Sequence, residues 1–215
     1  MPEEQTWPRF ELVTYTEPTG IPHGWDRDLI TLGVPKRILG DYYKAVSRLE
    51  LIEHPTLGPV VRFATLGRRG AMCLHPATGS IHQLTGARSG QEWFVNTTLA
   101  QFNDSVRAVI NRFPFDRGVP SEAPTPDASA QWHTSNTDKG DDVSWITVGE
   151  ELRELLRRID PASVANPNGY WNTFVTDVEM GNYSAEDVLT FPEKGRLISR
   201  IVPRNGTKYR PTHEK

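Results

Sequence analysis

An α+β fold, a mostly antiparallel sheet of about five to six strands with packed helices, is what this sequence predicts. Three observations carry that expectation. Between Leu49 and Val95 short apolar or alternating runs are separated by tight turns, the pattern of a meander. The last of those runs leads straight into an amphipathic helical stripe ending at Phe113. Two further helical stripes follow a long polar segment, one from Trp145 and one from about Gly169.

Taken in chain order, Trp7 to Tyr15 holds a short strand, with Phe10, Leu12, Val13 and Tyr15 as its apolar positions. Pro18, Gly20, Pro22 and Gly24 then break regular structure. Asp26 is placed to cap a short helix through Leu29 and Ile30, closed by Gly33 and stopped by Pro35. Leu49 to Glu53 reads as a strand ending at His54-Pro55, with a turn at Gly58-Pro59. Val60 to Thr65 is β-branched and aromatic, Gly67 to Gly70 is turn chemistry, and Ala71 to Leu74 is a short apolar run. Pro76-Ala77-Thr78-Gly79 turns the chain into Ile81-His82-Gln83-Leu84, which alternates as a half-buried strand does. After the loop 86–90, Trp93-Phe94-Val95 is the next strand. Thr98 and Gln101 have capping-box spacing, and Leu99, Phe102, Val106, Val109 and Phe113 then step along one face of a helix.

Pro114 to Ser144 is mostly Pro, Ser, Thr, Asp, Gly and Asn, a composition that buries too little apolar surface to offset its ordering entropy. From Asp116 to Glu150 it carries seven acidic and two basic residues, which makes it an acidic loop within a single domain 1–215. Val148, Leu152, Leu155, Leu156 and Ile159 line a second helix that stops at Asp160-Pro161. Trp171, Phe174, Val175 and Val178 line a third, capped by Gly181. Val188–Phe191 and Leu197–Val202 have the composition of short strands, and the tail 203–215 is polar and basic.

Composition narrows the function classes. The 215 residues are 37% hydrophobic and 24% charged, enough for a real core. No run of about 18 apolar residues would span a bilayer. The acidic N-terminus lacks a signal-like apolar stretch, so a cytoplasmic protein is expected. Cys73, the only cysteine, rules out an internal disulfide and reads as a buried, inert thiol. The net charge of −3 conceals an asymmetry: residues 193–215 hold seven Lys or Arg against two Glu, a local +5, which leaves −8 on residues 1–192. An acidic body does not suit direct nucleic-acid binding and does suit a basic protein partner.

No catalytic constellation emerges. His23, His54, His75, His82, His133 and His213 never take the i, i+4 spacing of a helical zinc site, and they read as satisfied surface histidines. His75 and His82 straddle a hairpin, close enough to meet, without an evident third ligand. No Gly-x-Ser-x-Gly elbow, Walker loop or dinucleotide fingerprint occurs, and no cofactor is expected. Gly67-Arg68-Arg69-Gly70 reads as a turn with solvated arginines, and Glu150, Glu151 and Glu154 as the solvent face of a helix. Trp93, Trp145 and Trp171 flank apolar runs and belong to the core, whereas Trp132 sits in the acidic loop with nothing local to pack on. An aromatic in that setting is either a binding anchor or folded back onto the body.

Four segments stand out: Leu32-Gly33-Val34-Pro35; Met72 to Ile81 with its Pro76-Ala77-Thr78-Gly79 turn; Phe94-Val95-Asn96-Thr97-Thr98-Leu99 to Phe102; and Ile159-Asp160-Pro161 followed by Tyr170-Trp171. In their order and spacing they resemble the SUKH superfamily of bacterial toxin-immunity proteins, in particular its fourth family. His75 stands where the family usually has Asp, and the acidic loop is long for it. The resemblance implies an α+β domain with a non-catalytic role: binding and neutralising a cognate toxin domain, often a nuclease or deaminase. Trp132, Asp138, Asp141 and Asp142 are the candidate contact residues for a cationic toxin. The competing expectations are a regulatory adaptor or peptide-binding module on the same scaffold, and an enzyme of unfamiliar type.

Overall fold

A computed structural model describes residues 8–17, 19–39, 42–85, 91–115 and 145–183. Its centre is a five-stranded antiparallel meander in the order β3-β4-β5-β6-β7, formed by Tyr43–His54, Gly58–Leu66, Gly70–Leu74, Ile81–Thr85 and Glu92–Asn96. A two-stranded ribbon pairs β1 (Leu12–Val13) with β2 (Val34–Pro35), and α1 (Arg27–Leu32) lies between them in sequence. The helical layer is α2 (Leu99–Arg112), α3 (Trp145–Ile159) and α4 (Tyr170–Glu179), with a 3-10 turn at Pro161–Val164. The α+β expectation and the strands of the meander are therefore met. The two strand-like segments at Val188–Phe191 and Leu197–Val202, and the basic tail, fall outside the described residues.

The helical stripes do what their spacing dictates. Leu99, Phe102, Val106, Val109 and Phe113 are all buried, as are Val148, Leu152 and Leu156 of α3 and Trp171, Phe174, Val175 and Val178 of α4. They pack on one face of the sheet against Val61, Phe63, Met72, Leu74, Ile81 and Val95. Phe102 sits at the junction, with its ring centroid 5.8 Å from Phe63, 6.0 Å from Tyr43 and 6.4 Å from Trp171. Successive strand residues point to opposite faces, so Val60, Ala71, Cys73 and Leu84 form a second, smaller cluster on the other side. That is why β4 reads as a nearly continuous apolar run: both of its faces are buried.

Local chemistry accounts for the boundaries. The Thr98 hydroxyl accepts the Gln101 backbone N–H at 3.2 Å, as the capping-box spacing predicts. Gly33 has φ of 68°, and a Cβ there would stand 2.8 Å from the carbonyl oxygen of Val13. Both the conformation and the approach of β1 demand glycine. Asp26 occupies the N-cap position of α1 but makes no capping bond. Its carboxylate instead takes the Thr19 hydroxyl.

Three expectations need correction. Gly58-Pro59 is not a turn but the start of β4; the turn is 55–57. β3 begins at Tyr43 rather than Leu49, because a bulge between Ala45 and Glu50 hides its first half from a periodicity reading. The Tyr15 hydroxyl stabilises that bulge, lying 3.0 Å from the carbonyl of Val46 and 3.2 Å from that of Phe63. Finally Phe115, assigned from composition to the polar segment, is fully buried against Phe113 and Phe174.

Candidate functional site

Trp132, Asp138, Asp141 and Asp142, the residues singled out for partner contact, lie outside the described residues. What the structure does place are the four segments that carry the family resemblance, and it makes three of them into buried joints. Asp160, which the sequence offers only as a helix stop, is 1% exposed. Its Oδ2 accepts the Asn96 side-chain amide at 3.1 Å and the Thr97 backbone N–H at 2.7 Å. Its Oδ1 accepts the Thr97 hydroxyl at 3.0 Å and the Ala162 N–H at 3.2 Å. The indole N–H of Trp171 completes the node by donating to Asn96 Oδ1 at 2.9 Å. Thus the end of β7, the start of the 3-10 turn and the first turn of α4 meet at one buried polar centre. A second tie runs from Gln101 Nε2 to the Ile159 carbonyl at 3.2 Å. A third joins Asn103 Nδ2 to the Gly33 carbonyl at 3.0 Å, which binds the Leu32–Pro35 segment to α2.

The fourth segment organises polar groups on the other face of the sheet. His75 Nε2 lies 3.1 Å from the Leu57 carbonyl and its Nδ1 lies 2.8 Å from the Thr78 hydroxyl. Thr78 continues to Ser80 at 2.6 Å, and Ser80 to His82 Nε2 at 2.8 Å. His82 Nδ1 then faces Glu92 Oε2 at 2.9 Å. The two imidazoles meet across the hairpin as expected, with centroids 6.3 Å apart. They are not all surface histidines, however, since His82 is 9% and His54 3% exposed. Burial pushes the His82 pKa below its usual value, with Glu92 pulling the other way. Among the described residues no group of three or more His, Cys, Asp or Glu is arranged to hold a metal ion.

Cys73 is fully buried beneath this face, and burial raises its thiol to a pKa of about 12. At pH 8 the thiolate is therefore scarce as well as shielded. A thiol reagent should leave the native protein unlabelled over a period in which the urea-unfolded chain reacts to completion. Rapid native labelling would refute the inert assignment.

The acidic residues of α3 take the solvent side as expected. Glu151 pairs with Arg112 at 3.0 Å, and Glu154 pairs with Arg158 at 3.2 Å and with Arg157. The arginine partners hold the Glu154 carboxyl below its ordinary pKa. Arg68 and Arg69 are exposed in their turn. Trp171 is core, Trp145 packs half-buried against that core, and Trp93 is half-buried on β7. No helix among the described residues is long and apolar enough to cross a membrane.

Fold and interior together define an α+β domain whose distinguishing residues are taken up by joints between a meander and its helical layer. The SUKH-4 immunity protein family model matches residues 17–177, and the chain belongs to that family. The match runs from the loop before α1 to α4, and so takes in every joint described above. No significant match exists among curated proteins, nor among solved structures.

Proposed function

We propose that the chain is a non-catalytic immunity protein, which acts in the cytoplasm of a bacterium by binding and neutralising a cognate polymorphic toxin of nuclease or deaminase type. The observation that carries this reading is membership of the SUKH-4 immunity protein family over residues 17–177. Two others support it. The polar residues of the family-like segments mostly bond to one another rather than converging on an open cleft. The body carries an acidic excess, −8 over residues 1–192, which favours rapid encounter with a cationic partner through long-range attraction. In this reading the acidic loop of one continuous domain supplies contacts through Asp138, Asp141 and Asp142, with Trp132 as an aromatic anchor.

The test is co-expression. The toxin domain encoded beside this chain should arrest growth alone, and this chain should restore it. Calorimetry on the purified pair at two salt concentrations then separates the contributions, because screening weakens exposed charge contacts. Replacing Asp138, Asp141 and Asp142 together by asparagine should slow association several-fold at low salt and leave dissociation nearly unchanged. An unchanged on-rate removes the loop from the account. Binding without rescue would favour the adaptor reading instead.

A further inference from the structure

The two edges of the sheet are treated differently. At one edge β7 is flanked by the 3-10 turn and α4, and the Thr97 N–H just beyond it is taken by Asp160. At the other edge stands β3, the longest strand, with 12 residues. Among the described residues its outer side is occupied only at the start, where Lys44 bridges Arg37 and the Ala45 N–H donates to the Lys36 carbonyl at 3.1 Å. Beyond the bulge, Glu50 to His54 pair with β4 alone among the described residues. That leaves about 17 Å of strand with backbone donors and acceptors directed outward.

A groove of about 700 Å³ lies over the β3 bulge, walled by the Thr19–Ile21 loop; it reaches Arg62 and Thr65 of β4 on one side and meets the open stretch at Glu50 and Leu51. Its side chains have a definite chemistry. Lys44 and Arg48 line it, and among the described residues neither is within ion-pair distance of a carboxylate. The Arg48 guanidinium lies against Gly20, 3.6 Å from where a Cβ would sit, and so borders the opening. Glu50, the acidic residue lining the groove, is already paired with Arg62. Leu51 is 40% exposed on the open stretch of strand.

We propose that the open edge of β3 is a docking site for an extended segment of the toxin, which adds antiparallel as a further strand. The segment places carboxylates against Lys44 and Arg48 and an apolar side chain on Leu51. This rests on the immunity reading and supplies the contact surface it lacks within the described fold. An edge strand gives such a segment affinity through main-chain hydrogen bonds, while alternate side chains in the groove give it specificity. Lys36 and Arg37 already pair with the first residues of β3, so an added strand continues a line the chain itself begins. Free carboxylates meeting two cations that have no carboxylate partner among the described residues add attraction without the cost of breaking an ion pair seen there.

The experiment uses the full chain and a catalytically inactive form of the toxin domain encoded beside it. Hydrogen exchange should show the amides of residues 46–53 slowed at least tenfold in the complex. The double variant Lys44→Glu with Arg48→Glu, checked by thermal melting to be as stable as the wild type, should bind at least tenfold more weakly. Unchanged exchange over 46–53 together with wild-type affinity in the variant would overturn the docking site while leaving immunity intact. Failure of the wild type to bind the toxin or rescue growth would overturn the immunity reading, and this proposal with it.

Discussion

Asp160→Ala should destabilise the protein by about 3 kcal/mol, because it strips the acceptor from several donors at once and one of them, the Asn96 amide, belongs to a fully buried residue. The Asn96 side chain is 0% exposed, and with the carboxylate gone its amide keeps only a long contact of 3.4 Å to Ser105. The Ala162 N–H loses the acceptor that opens the 3-10 turn. Thr97 is at the surface, so water replaces its two bonds and limits the loss. For a chain of this size such a loss lowers the melting temperature by roughly 6–12 °C. Asp160→Asn is the informative companion. Both carboxylate oxygens accept bonds, and an amide turns one acceptor into a donor facing a donor, so about half of the loss should persist. Urea denaturation of the three proteins side by side checks the order. If the alanine variant melted with the wild type, Asp160 would not be the joint that its burial and bonds make it.

Trp171→Ala should cost about 4 kcal/mol, in the range for deleting a large buried aromatic. Trp171 is fully enclosed and contacts Phe102 at 6.4 Å and Phe174 at 6.0 Å between ring centroids, so its loss opens a cavity between α2 and α4. Trp171→Phe separates packing from polarity. It keeps much of the ring and removes the N–H that satisfies Asn96 Oδ1, and should cost roughly 1–3 kcal/mol. Trp171 and Asp160 both act on Asn96, so combining Trp171→Phe with Asp160→Asn should cost less than the two separate losses together, as groups sharing one network do. Strict additivity in a double-mutant cycle would show that the indole and the carboxylate act independently.

If the docking proposal holds, these two substitutions should weaken toxin neutralisation only through the amount of folded protein. The joint lies by the β7 edge and the groove by the β3 edge. Stability and recognition would then be carried at opposite sides of the meander, and charge changes at Lys44 and Arg48 would alter binding with little effect on melting.

How much of this was legible in the sequence follows from the range of each interaction. Turns, caps and helical stripes depend on residues within about four positions of one another. Thr98 with Gln101, Gly33, and the stripe from Leu99 to Phe113 could therefore be read directly. The α+β class followed, because alternating runs joined by tight turns leave little choice but an antiparallel meander. The first half of β3 was missed because a bulge destroys the two-residue period on which strand reading relies. Phe115 was missed because one aromatic in a polar stretch declares nothing about what it will meet, and it meets Phe174, 59 positions further along.

The polar joint was beyond sequence reasoning for the same cause. Asp160 before a proline is locally a helix stop, and Asn96 before two threonines is locally a strand end. Only folding brings them together across a separation of 64 residues and sets Trp171 beside them. That β3 stands at one end of the sheet order is also a tertiary fact, since a strand's place in the sheet is not written in its own residues. The sequence by itself determined the elements, their caps and the family likeness, because those rest on neighbours along the chain. Which polar groups are buried together, and which sheet edge is left unpaired among the described residues, came only from the tertiary structure, because both depend on contacts between segments far apart in sequence.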